Sequence, residues 1–355
     1  MKSSLKILIV KLSAIGDVVH MLPVLESIHR CYPDADIDWV VERDAANLIE
    51  SHPLLRKVII SDRKHWQKTL FNFTTFTKTI KEITSFVSTI RSEKYDVILD
   101  MQGLMKSGII TGLARGDRKL GLEESREGAG FFLTEKPAHV NFNDHAIDRY
   151  MSIFKLLECH SVSYEGRVPV TEKDQNYILK MFSELNLGSR PIVVMNPMAK
   201  WQSKLWYPER FITVADRLIS EFNCDVIFTG GKEDKLYVDK IINGMTHQAI
   251  NITGRISLRE LAFLYTKINL LITTDTGPMH IAAAMKCPVL ALFGPTAPWR
   301  TGPYGAGHIS LRSEIHCSPC YKRTCERMLC MSDITAEKVI EAVIPKLFKK
   351  TDWVE

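Results

Sequence analysis

The chain has 355 residues, and its ordinary hydrophobic content of 45% and charged content of 25% exclude the disordered and fibrous classes. A formal net charge of +5 fits an anionic ligand or a membrane surface but is too small to indicate a nucleic-acid partner. No apolar run approaches the ~18 residues of a membrane span, and the first residues lack a signal peptide's apolar region, so we expect a cytoplasmic protein.

Strands alternate with helices in the first half of the chain. Strands are predicted over residues 5–11, 37–41, 58–60 and 95–100, and helices over residues 18–31 and 70–91. The strands are continuous apolar runs, which is typical of strands buried on both faces of a parallel sheet. The alternation predicts a doubly wound α/β domain.

A second series of elements repeats this architecture. A charged helix near residues 171–188 ends in a Leu-Gly-Ser-Arg-Pro break, after which strands are predicted over residues 191–196, 225–228, 250–252, 268–272 and 289–293. Helices are predicted over residues 208–220, 235–243, 257–265 and 280–285. We therefore expect two Rossmann-like domains, residues 1–172 and 191–333, a linker helix at 173–190, and a C-terminal helix at 334–355 that returns to the first domain.

The turn at Asp275, Thr276 and Gly277 lies between a predicted strand and a predicted helix. Ligands of open parallel sheets bind at the carboxyl ends of strands, so two facing sheets would place a site in the cleft between them. The first N–H groups of the helix favour an anion, Thr276 can cap the helix, and Gly277 allows close approach. The alternative is an ordinary turn without a ligand.

Asp17 ends the loop that follows the first predicted strand. A carboxylate there can point into the cleft and act as a general base. The alternative is an acidic residue that stabilises the start of a helix.

Polar residues in the second half are candidates for contacts with a nucleotide. Lys204 lies in a loop between a strand and a helix, where a lysine can neutralise a phosphate, and Lys200 lies nearby. Glu233 or Asp234, after a Gly-Gly pair, can accept hydrogen bonds from ribose hydroxyls. Solvated side chains are the alternative.

Basic residues of the first half are candidates for anion contacts, since guanidinium groups suit carboxylate and phosphate. They are Arg63, Lys64, Lys68, Arg126 and Arg149. The alternative is a set of solvated surface charges.

Four cysteines cluster near the C-terminus: Cys317, Cys320, Cys325 and Cys330. They resemble a structural four-thiolate site for zinc or an iron–sulfur cluster. A reduced or disulfide-bonded surface loop is the alternative.

Taken together, several segments resemble the lipopolysaccharide heptosyltransferase family, which are inverting glycosyltransferases with the two-Rossmann GT-B architecture. The segments are LIVKLSAIGDVVHMLPVL, IDWVVE, DMQGLMKSG, SKLWYPERF, and DTGPMHIAAA followed by FGPT. They occur in the family's order through almost the whole chain. The resemblance is strongest to the heptosyltransferase I branch.

The resemblance implies substrates, partners and location. The donor would be ADP-L-glycero-D-manno-heptose and the acceptor Kdo-lipid A, with no required metal or other cofactor. Because the acceptor is lipid-anchored, a monomer at the cytoplasmic face of the inner membrane is expected, touching it through residues such as Arg63, Lys64, Trp66 and Phe71.

The resemblance also assigns roles by position. Asp17 would be the catalytic base, and Lys204 would contact the donor phosphates. The other donor-binding residues would be Lys200, Glu233, Asp234, Ile256, Asp275, Thr276, Gly277 and His280, with Ile256 beside adenine. The acceptor-binding residues would be Gly16, Arg63, Lys64, Arg126 and Arg149.

Two features depart from the heptosyltransferase I pattern. Ala199 and Lys200 replace a pair of hydroxyl residues, so Lys200 and the backbone would contact phosphate there. The cysteine cluster is foreign to the best-known pattern. Heptosyltransferase II, or another sugar transferase of the family, is therefore the alternative function, and a non-catalytic nucleotide- or nucleic-acid-binding protein is a remote one.

Overall fold

The computed structural model describes residues 4–347. The described chain separates between Pro169 and Val170 into two compact units. Among residues 4–347, each unit contains one parallel sheet, as the sequence predicts. In this part of the chain no helix is both long and apolar enough to cross a membrane.

The sheet of the first unit has the strand order β3-β2-β1-β4-β5. Its strands are β1 (Lys6–Val10), β2 (Asp36–Glu42), β3 (Lys57–Ser61), β4 (Lys94–Asp100) and β5 (Arg115–Gly121). Central strand β1 pairs in parallel with β2 and β4, with Val10 beside both Val40 and Asp100. Its apolar residues are fully buried, which explains the continuous apolar run.

Seven helices surround this sheet within the described part of the first unit. They are α1 (Ile15–Val19), α2 (Leu22–Cys31), α3 (Arg43–Ala46), α4 (Arg63–Thr69), α5 (Phe76–Arg91), α6 (Met105–Leu113) and α7 (Ala146–Met151). Short 3-10 turns form at Ala129–Phe132 and Ser152–Lys155.

Two helix predictions in this unit were wrong in their extent. The predicted helix over residues 18–31 is broken into α1 and α2, because Pro23 has no N–H to donate to the preceding turn. The predicted helix over residues 70–91 begins only at Phe76. The side chain of Asn72 accepts from the Thr74 N–H at 3.0 Å, a local turn that competes with helix formation.

The sheet of the second unit has the order β11-β10-β9-β6-β7-β8. Its strands are β6 (Ile192–Asn196), β7 (Asp225–Phe228), β8 (Ile250–Asn251), β9 (Leu270–Thr274), β10 (Val289–Phe293) and β11 (Ile309–Arg312). The edge strands β5 and β11 were not predicted. Strand β5 reads RGDRKLG, which has no apolar run to reveal it.

The helices of the second unit include the predicted linker. They are α8 (Glu172–Glu184), α9 (Pro208–Ser220), α10 (Lys235–Asn243), α11 (Leu258–Tyr265), α12 (Gly277–Ala284), α13 (Pro298–Thr301), α14 (Leu329–Ser332) and α15 (Ala336–Leu347). Short 3-10 turns form at Gln202–Lys204 and Lys232–Asp234.

Helix α8 packs on α11, where Arg259 lies 3.1 Å from the carboxylate of Asp174. The predicted linker helix therefore belongs to the second unit.

Helix α15 also packs in the second unit. Its buried residues Val339, Ile340 and Val343 join Phe211 of α9 in one apolar core. The sequence predicted that the C-terminal helix returns to the first domain, whereas its described part finds its apolar partner in the second unit. Residues 348–355 of that prediction lie outside the described residues.

Cys31, at the end of α2, and Cys159 form a disulfide bond. Their separation of 128 residues carries no local signal, so only tertiary structure brings them together.

Candidate active site

Both sheets have a point at which the strand order reverses. In the first unit it lies between β1 and β4, and in the second between β6 and β9. Connections leave such neighbouring strands in opposite directions and open a crevice at their carboxyl ends, where ligands of α/β sheets bind. Asp17 follows β1, Lys204 follows β6, and Asp275 follows β9 directly. All three predicted site residues are thus placed at reversal points.

The loop that carries Asp17 is tied to the neighbouring strand connection. The side-chain oxygen of Gln102, just after β4, accepts the N–H groups of Leu12 at 3.1 Å and Ser13 at 3.0 Å. Asp17 itself is half-buried in helix α1. Gln102 lies in the segment DMQGLMKSG, and its role in holding the Asp17 loop was missed by sequence reasoning.

Both carboxylate oxygens of Asp17 have partners. Oδ2 accepts the N–H of Ala14 at 2.9 Å, which is the helix-start interaction that the sequence offered as an alternative. Oδ1 accepts the hydroxyl of Tyr150 at 3.2 Å. The cap and the second contact coexist, because each uses a different oxygen.

Behind Tyr150 lies a buried lysine. Lys11 Nζ donates to the Tyr150 hydroxyl oxygen and to the Met101 carbonyl, both at 2.7 Å. Its side chain is almost entirely buried, and burial lowers the pKa of Lys11 below its ordinary value. Lys11 and Tyr150 were missed by sequence reasoning. The sequence does contain a signal for Lys11, because this lysine is the last residue of an otherwise mostly apolar predicted strand, residues 5–11.

Three basic residues converge on Glu42 at the end of β2. Its Oε1 accepts from Arg63 at 3.1 Å and from Lys106 at 3.1 Å, and Lys64 lies 3.7 Å from Oε2. Burial opposes ionisation of Glu42, but Lys106 and Arg63 outweigh it and lower the pKa of the carboxyl.

Lys106 also donates to the Ser13 hydroxyl at 2.8 Å, which links this cluster to the Asp17 loop. Lys106 was another residue that sequence reasoning missed. The structure thus brings the predicted residues Arg63 and Lys64 together.

The two remaining predicted acceptor residues differ in exposure. Arg149 is buried and forms an ion pair with Glu124. Arg126 is exposed, and its backbone N–H donates to the Gly103 carbonyl at 2.7 Å. Arg126 is therefore free to meet a ligand from solvent, whereas Arg149 is placed to act on its buried neighbours.

In the second unit, Lys204 meets the predicted donor-binding turn. Its Nζ lies 2.6 Å from Asp275 Oδ2, and the Thr296 hydroxyl donates to the same oxygen at 2.6 Å. The Lys204 ammonium also lies 4.5 Å from the centre of the Trp201 ring. Asp275 is buried, so Lys204 is a positioned cation and not a solvated loop lysine.

Helix α12 begins beside this pair. Gly277 is its first residue and Thr276 its N-cap residue, but the Thr276 side chain makes no cap hydrogen bond in the described structure. The prediction that Thr276 caps the helix was right in position and wrong in mechanism. His280 lies in the first turn and is buried. The helix start beside Lys204 favours an anionic ligand.

The predicted ribose and adenine residues follow neighbouring strands at the same edge of the sheet. Asp234 accepts the Gly231 N–H at 2.7 Å, and burial raises the pKa of this carboxyl. Glu233 is exposed, Ile256 is half-buried just before α11, and Lys200 is exposed.

The described residues lend no support to the zinc or iron–sulfur prediction for the cysteine-rich segment. Across residues 4–347, no group of three or more His, Cys, Asp or Glu side chains is arranged to hold a metal ion. The segment packs through backbone groups on the two loops that follow β6 and β10. The Ser203 hydroxyl donates to the Lys322 carbonyl at 2.6 Å, and the Cys320 and Tyr321 N–H groups donate to Pro295 at 3.0 and 2.8 Å. These contacts make the segment a brace for the loops after β6 and β10.

Two parallel-sheet α/β domains, each with polar residues at its reversal point, are the architecture of the GT-B fold class. Residues 83–330 match glycosyltransferase family 9 (heptosyltransferase), and the chain belongs to this family. It is a glycosyltransferase, which sets aside the non-catalytic alternative.

Individual relatives agree with this assignment. The chain is 28% identical to lipopolysaccharide heptosyltransferase 1 of Pseudomonas aeruginosa, over 90% of this chain and 87% of the relative. The Escherichia coli heptosyltransferase WaaC with ADP has a TM-score of 0.78 at 24% identity and covers 96% of this chain and 100% of that chain. The E. coli ADP-heptose lps heptosyltransferase II has a TM-score of 0.77 at 21% identity, covering 98% and 99%.

Proposed function

We propose that this glycosyltransferase moves L-glycero-D-manno-heptose from ADP-heptose to a hydroxyl of Kdo on Kdo-lipid A, with inversion at the anomeric carbon. The observation that carries the proposal is Asp17, a carboxylate fixed at both oxygens at the reversal point of its sheet. The names of the relatives supply the substrate class.

In this mechanism Asp17 takes the proton of the acceptor hydroxyl while that oxygen attacks the anomeric carbon. ADP leaves from the opposite face, and negative charge grows on its diphosphate. Lys204 and the start of α12 at Gly277 stabilise that charge, so the reaction does not require a metal ion. A structure of E. coli WaaC contains ADP, which supports a diphosphate at this kind of site.

The remaining donor contacts follow from their positions at the same sheet edge. Asp234 or Glu233 accepts hydrogen bonds from the ribose, and Ile256 packs beside adenine. Asp275, Thr276 and His280 form the turn around the phosphates, with Lys200 as a further cation.

The acceptor is acidic, and the first unit offers a cationic surface for it. Arg63, Lys64 and Lys106 face one carboxylate, Glu42, while Lys64 also pairs with Asp44. Three cations against two carboxylates leave net positive charge for a Kdo carboxylate or a lipid A phosphate. Gly16 and Arg126 complete the proposed acceptor side, and Arg149 contributes to it through its buried ion pair with Glu124.

The second candidate acceptor is a core that already carries heptose. The fold of E. coli heptosyltransferase II matches this chain almost as closely as that of WaaC, with TM-scores of 0.77 and 0.78. The fold therefore supports either acceptor.

The deciding experiment incubates the protein with ADP-heptose and either Kdo-lipid A or heptosylated Kdo-lipid A, and measures the product mass. Addition of one heptose to Kdo-lipid A is expected. Transfer to the heptosylated acceptor alone would establish the second candidate, and transfer to neither would refute the proposal.

The base role is tested with Asp17→Asn, which should lower turnover by ~10²-fold or more. Asp34→Asn, an exposed carboxylate of the same unit, is the matched control. Near-wild-type turnover of Asp17→Asn with the donor still bound would remove Asp17 from the mechanism.

We further propose that the monomer binds the anionic surface of the inner membrane from the cytoplasm through the loop between α4 and α5. Phe71 is 88% exposed and Phe73 is fully exposed. Exposed Lys64, Lys68 and Lys78 lie on the flanking helices. Aromatic side chains beside lysines suit insertion among anionic lipid head groups. Trp66, predicted for this contact, instead packs on Phe86 with ring centres 5.3 Å apart.

Vesicle flotation tests this surface. Replacing Phe71 and Phe73 together by serine should weaken binding to anionic vesicles at least about tenfold, since each buried phenyl contributes roughly 1.5–3 kcal/mol. Leu236→Ser, at an apolar side chain that is 77% exposed in the second unit, is the control. Equal partition of the wild type and the double variant would refute the proposed surface.

A further inference from the structure

Asp17 is held by a buried chain of polar groups that a helix start does not require. The Ala14 N–H occupies one carboxylate oxygen, and this contact alone accounts for the helix start. The other oxygen accepts from the hydroxyl of Tyr150 in helix α7, 133 residues away, and the Tyr150 oxygen in turn accepts from Lys11 Nζ. Tyr150 and Lys11 are 4% and 2% exposed.

We propose that Tyr150 and Lys11 are positioning residues for the general base Asp17. Tyr150 fixes the orientation of the Asp17 carboxylate, and Lys11 fixes the hydroxyl of Tyr150. This inference rests on the proposed function, because it gives the pair a role in proton removal from the acceptor.

The direction of hydrogen bonding in this chain follows from donor counting. Lys11 has no acceptor as an ammonium, so it donates to the Met101 carbonyl and to the Tyr150 oxygen. Tyr150 has a single hydroxyl proton, which must then point at Asp17 Oδ1. A donor to a carboxylate favours its ionised form, and only that form can take a proton from the acceptor.

Charged groups around the hydrogen-bonded series Lys11–Tyr150–Asp17 act on the protons of Lys11 and Tyr150. Burial is the largest influence and lowers the pKa of Lys11, while the carboxylates of Asp17, Glu124 and Asp100 attract the cation and Arg149 repels it. Burial also raises the pKa of Tyr150, which keeps its proton on the phenol. The rings of His20, which directly follows α1, and His145, which directly precedes α7, also meet here with their centres 5.1 Å apart.

The same unit contains a matched pair remote from the proposed chemistry. The buried hydroxyl of Tyr95 donates to Asp38 at 2.8 Å, and Arg56 also binds this carboxylate. Tyr95 and Asp38 lie near the amino ends of β4 and β2, opposite the edge that carries Asp17. Tyr95→Phe therefore removes an equivalent hydrogen bond without touching the base.

The test compares Tyr150→Phe, Lys11→Met and Tyr95→Phe with ADP-heptose and the acceptor that the wild type uses. Tyr150→Phe should lower kcat by about tenfold or more and leave the donor dissociation constant unchanged. Its profile of kcat/KM against pH should lose activity on the acid side at a pH about half a unit to one unit higher. Lys11→Met should act in the same direction, and Tyr95→Phe should change neither quantity.

The outcomes separate this inference from the function on which it rests. A wild type that transfers no heptose overturns both. If the wild type is active and Tyr150→Phe matches Tyr95→Phe, both in kcat and in the pH at which kcat/KM falls on the acid side, the positioning role alone is overturned. If Tyr150→Phe does not fold, Lys11→Met decides by the same two readouts.

Discussion

The Lys204–Asp275 pair offers a prediction that separates folding from chemistry. Asp275 is 6% exposed and keeps only the Thr296 hydroxyl when Lys204 is replaced by methionine. Breaking a buried ion pair from one side costs about 3–5 kcal/mol. Lys204 is 15% exposed, so water can reach the vacated carboxylate in part, and we expect Lys204→Met to cost about 2–3 kcal/mol of unfolding free energy.

The double variant Lys204→Met with Asp275→Asn then removes the unpaired charge. It should recover about 1–3 kcal/mol of the loss, because residues in direct contact are coupled by that amount. Turnover should behave differently. A cation that stabilises the leaving diphosphate contributes roughly 10²-fold to 10³-fold, and the double variant still lacks it.

Urea unfolding and the rate of ADP release measure the two quantities on the same preparations. Lys180→Met, which breaks an exposed pair with Glu184 in the same unit, should change both only slightly. If the double variant regained wild-type turnover together with stability, Lys204 would serve only to neutralise Asp275, and its proposed contact with the donor would be refuted.

Two further predictions concern the first unit. Burial lowers the pKa of His52 from 6.5 to about 4, so the unfolded chain binds a proton between these values that the folded protein does not. The contribution of neutral His52 to the free energy of unfolding should be fully present above pH 6.5 and be lost toward pH 4, a fall of about 3 kcal/mol. Urea titrations of His52→Asn should show most of this pH dependence removed. An unchanged pH dependence would contradict the assignment. Gln102→Met removes the acceptor of two loop N–H groups and should lower turnover by about tenfold or more, whereas Gln102→Glu keeps an acceptor oxygen and most activity. Equal activity of both variants would show that Gln102 does not hold the Asp17 loop.

Strands that form the centres of the sheets could be predicted from the sequence. Strands β7 and β10 match their predicted bounds, and β1 differs by one residue at each end. Both faces of a central strand are buried, so its apolar run is a local signal. The edge strand β5 is defined by its pairing with β4 and not by its own residues, and no reading of RGDRKLG would reveal that pairing.

The positions of some candidate site residues could be predicted from the sequence, namely those that lie in a recognisable motif directly after a predicted strand. Asp17 and Lys204 each follow a recognisable strand, and the parallel sheet places them at the reversal points. Tyr150 and Lys11 could not be linked in advance, because their contact spans 139 residues and depends on how α7 packs. The spacing of the cysteine cluster predicts thiolate ligands, which the described residues do not support. Their contacts show a segment that backbone groups fix on the loops after β6 and β10, and cysteine spacing carries no signal for such contacts.

The two reversal points carry side chains of opposite charge, a carboxylate in the first unit and an ammonium in the second. This difference follows from what each half of the proposed reaction needs. Proton removal needs a positioned carboxylate, and each oxygen of Asp17 accepts a hydrogen bond from a fixed donor. Departure of a diphosphate needs a fixed positive charge, and Lys204 is held by Asp275 and Trp201 beside a helix start. The parallel sheet alone does not determine the sign of the charge at either reversal point. The same strand order can present a base or a cation, so in each unit the chemistry depends on side chains that the surrounding structure fixes in place.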